Sequence, residues 1–189
     1  MSIALNSRAT SLSSVLRGRA SSPKAPTRLR LPDLLHVTDH EADAVLSGHY
    51  DHLLPPGGLP TDERWFSRLR CDDEMDVWLI SWVAGHATEL HDHGGSLGAL
   101  TVLTGSLHES RWAGDRLLHR RLDAGDQAAF PLGWVHDVSW VPSQPAVAGT
   151  GTLSVHAYSP PLSAMSYYEV TERETVRRVR TELTDAPEG

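Results

Sequence analysis

From residue 76 onward the apolar positions fall in short runs, separated by Gly, Pro and Asp at intervals of roughly ten residues. This texture predicts strands over residues 77–83, 89–93, 97–107, 116–122, 127–130, 135–140, 152–159, 163–170 and 175–180. The first of them is apolar on both faces, with three bulky side chains. The strand over 97–107 is expected to end at Gly105 or just beyond. Tight turns are read at Ala113-Gly114-Asp115 and Asp123-Ala124-Gly125. No long helical pattern alternates with the strands, which argues against a Rossmann or TIM architecture, and an all-β sandwich or barrel is predicted.

The first third of the chain reads differently. Residues 1–30 are rich in Ser, Ala and Arg and broken by Pro23 and Pro26, which predicts a flexible arm, with residues 3–16 as a possible short helix. Pro32 is placed to open a helix from Asp33, and residues 39–48 form a second candidate, capped by Thr38 or Asp39 and stopped by Gly48. The PPGGLP segment over 55–60 is a loop, and residues 61–70 fit either a helical turn or a first strand. Residues 147–151 read as a linking loop, and the alternating charges over 172–180 as a solvated strand or turn face. Residues 31–185 are therefore expected to form one domain behind the arm, a size that suits a single core.

Composition narrows the function classes. The chain has 24 acidic and 17 basic side chains, a net charge of −7, which argues against nucleic acid as its main partner. No run of 18 apolar residues exists to span a membrane, and no charged head with an apolar block marks a secretory signal. A single cysteine, Cys71, excludes an intramolecular disulfide or a Cys-rich metal cluster and is read as a buried or half-buried small hydrophobe. A cytoplasmic monomer or small homo-oligomer is the resulting expectation.

Histidine is the unusual residue, with eleven in the chain. His91 and His93 are two apart, so a strand presents both imidazoles on one face, a chelate for a divalent ion. Farther on, Gly125, Pro131 and Gly133 set turns around a short strand and aim His136 at a fixed point. His36, His40, His49, His52, His108 and His119 lack such a context, and His86, beside Gly85, reads as a surface turn residue. The tryptophans are expected to be barrel packing, with Trp134 a candidate wall beside the metal motif.

The two blocks resemble the paired motifs of the cupin superfamily. Gly85, five residues, His91-x-His93 and the later Gly105 match the first motif; Gly125, five residues, Pro131-x-Gly133, two residues and His136 match the second. The glutamate of the first motif would fall at Leu97 or Gly98, neither of which binds metal, and Trp140 replaces the final asparagine of the second. What is left is three neutral imidazoles, which suits an anionic substrate that binds the metal directly. Within the superfamily the chain is similar, over roughly residues 60–170, to the thiol dioxygenases, of which cysteine dioxygenase is the type. Ser154-x-His156-x-Tyr158 followed by Ser159-Pro160-Pro161 carries that likeness.

The resemblance implies an all-β, cupin-type (jelly-roll) β-barrel with short N-terminal helices. It implies Fe(2+) on His91, His93 and His136, a catalytic relay of Ser154, His156 and Tyr158, and a cis Ser159–Pro160 bond. The cysteine of the Cys–Tyr crosslink found in animal members would fall at Gly98, so Tyr158 is expected to be uncrosslinked. In the family a carboxylate-binding arginine precedes the His-x-His motif in an aromatic-x-Arg context. Phe66-Ser67-Arg68 matches it, with Arg70 a possible stand-in, and Met165 stands where a different arginine would favour 3-mercaptopropionate. The implied activity is oxidation of L-cysteine to cysteine sulfinate with O₂, with Arg68, Tyr158 and Met165 lining the substrate. The alternatives are dioxygenation of 3-mercaptopropionate or another small thiol, a zinc or manganese cupin isomerase, and a non-enzymatic metal- or ligand-binding cupin.

Overall fold

A computed structural model describes residues 29–142 and 151–187. The expected arm apart from Leu29 and Arg30, its short helix over 3–16, and most of the 147–151 link lie outside the described residues. The elements run α1 (Leu31–Leu46), a single 3-10 turn (Asp51–Leu53), then eleven strands. These are β1 (Phe66–Cys71), β2 (Asp76–Trp82), β3 (His91–Asp92), β4 (Leu97–Thr104), β5 (Ser106–Trp112) and β6 (Leu117–Asp123). They continue with β7 (Gln127–Phe130), β8 (His136–Trp140), β9 (Thr152–Ser159), β10 (Ala164–Val170) and β11 (Val176–Leu183). No helix among the described residues is long and apolar enough to cross a membrane.

The two helices expected over 33–48 are one. Pro32 sits in the first turn, where its missing N–H costs nothing, and the Asp33 side chain reaches back to the Arg30 N–H at 2.8 Å. Thr38 does not cap a second helix, because Leu34, Thr38, Glu41 and Ala42 form one continuous buried stripe at helical spacing. The Thr38 hydroxyl donates to Leu35 O at 3.0 Å and accepts from Thr101 of β4 at 2.8 Å, which ties the helix to the sheet beneath it. Gly48, at φ 83°, follows the last turn.

The strands form two antiparallel sheets, β1-β2-β9-β4-β7 and β11-β10-β3-β8-β5-β6, which face each other as a jelly roll without closing into a barrel. Between them lie Trp78, Ile80, Leu100, Phe130 and Tyr158 from the first sheet and Leu107, Val138, Met165 and Tyr167 from the second. A second core, with Leu34, Val77, Leu79, Ala99 and Val155, fills the space between the first sheet and α1. Every residue of β2 is therefore buried, which is why its sequence is apolar at both parities. Each large apolar side chain so buried contributes about 1.5–3 kcal/mol.

Of residues 61–70 only the second half is strand, as part of β1, while 61–65 are irregular, and 176–183 form β11. Cys71 is exposed, contrary to the burial expected of it, because β1 is the open edge of its sheet. The single strand expected over 97–107 is two, β4 and β5, and the sequence pattern leaves β5 unassigned beyond residue 107. Gly105, at φ 75°, divides them where the chain passes from one sheet to the other. A Cβ there would stand 2.1 Å from Thr152 Oγ1 and 2.9 Å from its Cα. Gly105→Ala is thus expected to lower unfolding free energy by at least about 2 kcal/mol, since neither φ nor space suits a side chain. Chemical denaturation checks it; an unchanged midpoint would mean that the β4–β5 corner is not held by this contact.

Candidate metal centre

His91 of β3 is paired across the sheet with His136 of β8 on one side and with Tyr167 of β10 on the other. His93 follows two residues on and turns to the same side. All three imidazoles are buried, with ring centroids 4.8 to 5.2 Å apart. One ring nitrogen from each lies within 4.8 Å of the others, a cluster that could hold a metal ion. It is the only such group of three or more His, Cys, Asp or Glu found among the described residues.

The surroundings fix which nitrogen faces inward. His91 Nδ1 lies 2.7 Å from the Glu89 carbonyl, which can only accept, so Nδ1 carries the proton and Nε2 the lone pair. His136 Nδ1 lies 3.2 Å from Glu109 Oε1 and is polarised in the same way. Glu109 has no exposure to water. Burial pushes its carboxyl up, but the hydrogen bond from His136 and the Arg120 guanidinium outweigh this and hold it well below the usual carboxylate range. Trp134 Nε1 donates to the same carboxylate at 3.2 Å, and Arg120 Nε closes the other oxygen in a short contact. Trp134 therefore bears on the site through Glu109. Sequence reasoning missed Glu109, and the reason is local: it lies on the unassigned strand β5. Its alternation with Leu107 and Arg111 was the available signal.

The first sheet supplies the opposite wall. Ser154, His156 and Tyr158 alternate along β9, fully buried, on its inner face. Ser154 Oγ lies 2.9 Å from His156 Nε2, and His156 Nδ1 lies 3.2 Å from the Tyr158 hydroxyl. Trp82 Nε1, which sequence reasoning counted only as packing, donates to Ser154 Oγ at 2.8 Å. The Tyr158 ring stands 4.9 Å from that of His93, so the row ends beside the histidine cluster. Gly98 is paired with Tyr158, and a Cβ there would meet Phe130 at 2.9 Å and the Tyr158 ring at 3.3 Å. The Ser159–Pro160 bond is cis.

The remaining candidates divide. Met165 is buried in the same core as Tyr158. Arg68 is on the edge strand β1 opposite Trp78, with its guanidinium 4.4 Å over the indole. Nη2 donates to Asp185 O at 2.6 Å, and Arg68 is exposed on this edge strand. Arg70 is engaged by Asp72 at 2.8 Å, outside the core. His86 is exposed, and His108 and His119 stack on each other away from the cluster.

A jelly roll that encloses a three-histidine cluster defines a cupin-type protein. The family model for cysteine dioxygenase type I matches residues 61–171, and the chain belongs to that family: it is a thiol dioxygenase. Similar solved structures include an uncharacterized conserved protein with a double-stranded β-helix domain from Klebsiella pneumoniae, at TM-score 0.48 and 19 % identity over 62 % of this chain and 86 % of that one. KdgF from Halomonas sp. matches at TM-score 0.44 and 15 % identity, over 52 % and 82 %. The Cnp3 cupin domain of Schizosaccharomyces pombe matches at 0.44 and 10 %, over 53 % and 63 %. The fold assignment rests on the strand order and the family match, not on these distant likenesses.

Glu109→Gln keeps the shape and removes the charge behind His136. It is expected to weaken metal affinity about 10- to 100-fold, as loss of a partner to a ligating histidine does. Competition with a chelator measures this, and an unchanged affinity would show that the carboxylate does not tune His136.

Proposed function

We propose that the protein oxidises the thiol of L-cysteine to cysteine sulfinate with O₂, using iron(II) held by His91, His93 and His136. The observation that carries this reading is the meeting of three buried imidazoles with the end of a buried Ser–His–Tyr row. The donor set fits the ion: three neutral nitrogens and no carboxylate suit a divalent transition metal and leave positions open for an anionic ligand. Bound there, iron(II) would supply the redox chemistry that moves both atoms of O₂ to sulfur, a four-electron oxidation of the thiol balanced by reduction of O₂.

The chain's own groups do the rest. Glu89 O and Glu109 keep the lone pairs of His91 and His136 turned inward. Phe130, Met165 and Tyr167 exclude water from the space between the sheets, which strengthens each polar contact within it. The Tyr158 hydroxyl, bonded to His156 on a ring that stands beside His93, would orient a substrate bound there. Arg68 offers the planar fork that fits a carboxylate and is held over Trp78 on the edge strand. To do so it would exchange the Asp185 carbonyl for the substrate. That existing bond favours, as a second reading, a small thiol with less need of Arg68, such as an amino thiol without a carboxylate.

Two variants separate these roles. Tyr158→Phe is expected to retain iron and lose about 10- to 100-fold in kcat, the scale of one oriented hydrogen-bonding group in a transition state. Loss of iron in that variant would instead make Tyr158 a ligand. Arg68→Ala should retain iron and lose about 10- to 100-fold in kcat/KM for L-cysteine, the worth of a charge-assisted pair. Iron-dependent O₂ uptake with sulfinate detection, run on L-cysteine, 3-mercaptopropionate and cysteamine, decides the substrate. Wild-type turnover far better on either of the latter two would overturn the cysteine assignment.

A further inference from the structure

We infer that Trp82 sets the direction of the Ser154–His156–Tyr158 hydrogen-bond row and thereby fixes His156 as the Nδ1–H tautomer. Indole Nε1 is a donor only. It points at Ser154 Oγ at 2.8 Å, so that oxygen is an acceptor in this contact. Ser154 has no exposure to water, and among the described residues its hydroxyl has one further partner, His156 Nε2 at 2.9 Å. The hydroxyl carries one hydrogen, and a buried hydrogen without an acceptor is costly. If His156 Nε2 were protonated, Ser154 would accept twice and have nowhere to place its own hydrogen. Ser154 therefore donates to Nε2, and the imidazole proton resides on Nδ1. From there it is donated to the Tyr158 oxygen, 3.2 Å away.

The consequence reaches the site. A Tyr158 oxygen that accepts from His156 turns its own hydrogen toward another acceptor, and the ring stands beside His93. Were the row reversed, Tyr158 would spend that hydrogen on His156 and could offer a substrate only lone pairs. Trp82 is thus a positioning residue, three partners removed from the chemistry. Its own orientation is held by the Arg64 guanidinium, 4.1 Å over the indole. An apolar residue of the same shape would fill the space equally well and leave the direction of the row undetermined.

The catalytic consequence rests on the thiol-dioxygenase reading above, whereas the tautomer does not, so the two are measured separately. Nitrogen-15 shifts of the His156 ring, recorded on the full chain loaded with diamagnetic zinc, are expected to show a protonated Nδ1 and an unprotonated Nε2. A protonated Nε2 in the wild type would overturn the inference outright. In Trp82→Phe the ring should show a mixture of tautomers. In the iron-loaded form, kcat should fall about tenfold with KM and iron content unchanged, the effect of one net hydrogen bond. If that variant does not fold, Trp82→3-benzothienylalanine keeps the indole shape, has sulfur in place of N–H, and should give the same result. An unchanged tautomer in whichever variant folds would overturn the role of Trp82. The expected tautomers without thiol turnover in the wild type would leave this inference standing and defeat the functional reading.

Discussion

The register of β3 against its neighbours is the constraint on which the site depends. Pairing His91 with His136 and with Tyr167 turns both imidazoles to the core, and a slip of one residue would turn them to solvent. Yet β3 is only two residues long and has few ladder bonds of its own. Flanking side chains supply what the ladder lacks. Thr88 brackets Val138 of β8, giving its hydroxyl oxygen to the Val138 N–H at 2.8 Å while its own N–H reaches Val138 O at 2.9 Å. Asp92 points outward and accepts from the Gly94 N–H at 2.9 Å and the Tyr168 hydroxyl at 2.7 Å. Arg180 of β11 grips both oxygens of Glu89 just before the first histidine. The strand is pinned by polar contacts at both ends and on both sides.

Those contacts allow polar groups to be buried where burial is otherwise unfavourable. A carboxylate removed from water costs several kcal/mol unless it is paired and fully hydrogen-bonded. Glu109 meets that condition through His136, Trp134 and Arg120, which come from β8, the loop before it, and β6. The same carboxylate both orients a histidine and locks three parts of the second sheet together. Stability and site geometry therefore share one set of bonds.

The two sheets divide the work. The second sheet positions His91 and His136, and the first positions the row that ends at Tyr158. They meet where the His93 ring lies 4.9 Å from Tyr158 and 5.6 Å from Phe130. Gly98 makes the meeting possible, since a side chain there would press on all three rings. The position where a crosslinking cysteine would stand is thus taken by the one residue that lets the rings approach.

Much of this was legible in the chain. Period two put Ser154, His156 and Tyr158 on one face, and fixed spacing singled out His91, His93 and His136, because such patterns are local and a strand imposes them wherever it lies. The apolar run of β2 announced a strand, and the helix and the second sheet that cover its two faces came from the fold. What the sequence could not state was which strands lie side by side. Gly105 marked a turn, but only the approach of Thr152 explains why the chain breaks there and why β5 crosses to the other sheet. Glu109 looked like any charged residue until β5 was seen to run beside β8, and Trp82 looked like packing until β2 was seen beside β9. Arg68 matched a pattern in the chain, while the fold alone set it on an edge strand against Asp185, 117 residues away. Residue types and their spacing singled out the three histidines and the Ser–His–Tyr row. Partners distant in sequence, brought into contact by sheet order, decided how each of those groups is oriented, because a hydrogen bond is a property of two atoms and the chain writes down only one of them at a time.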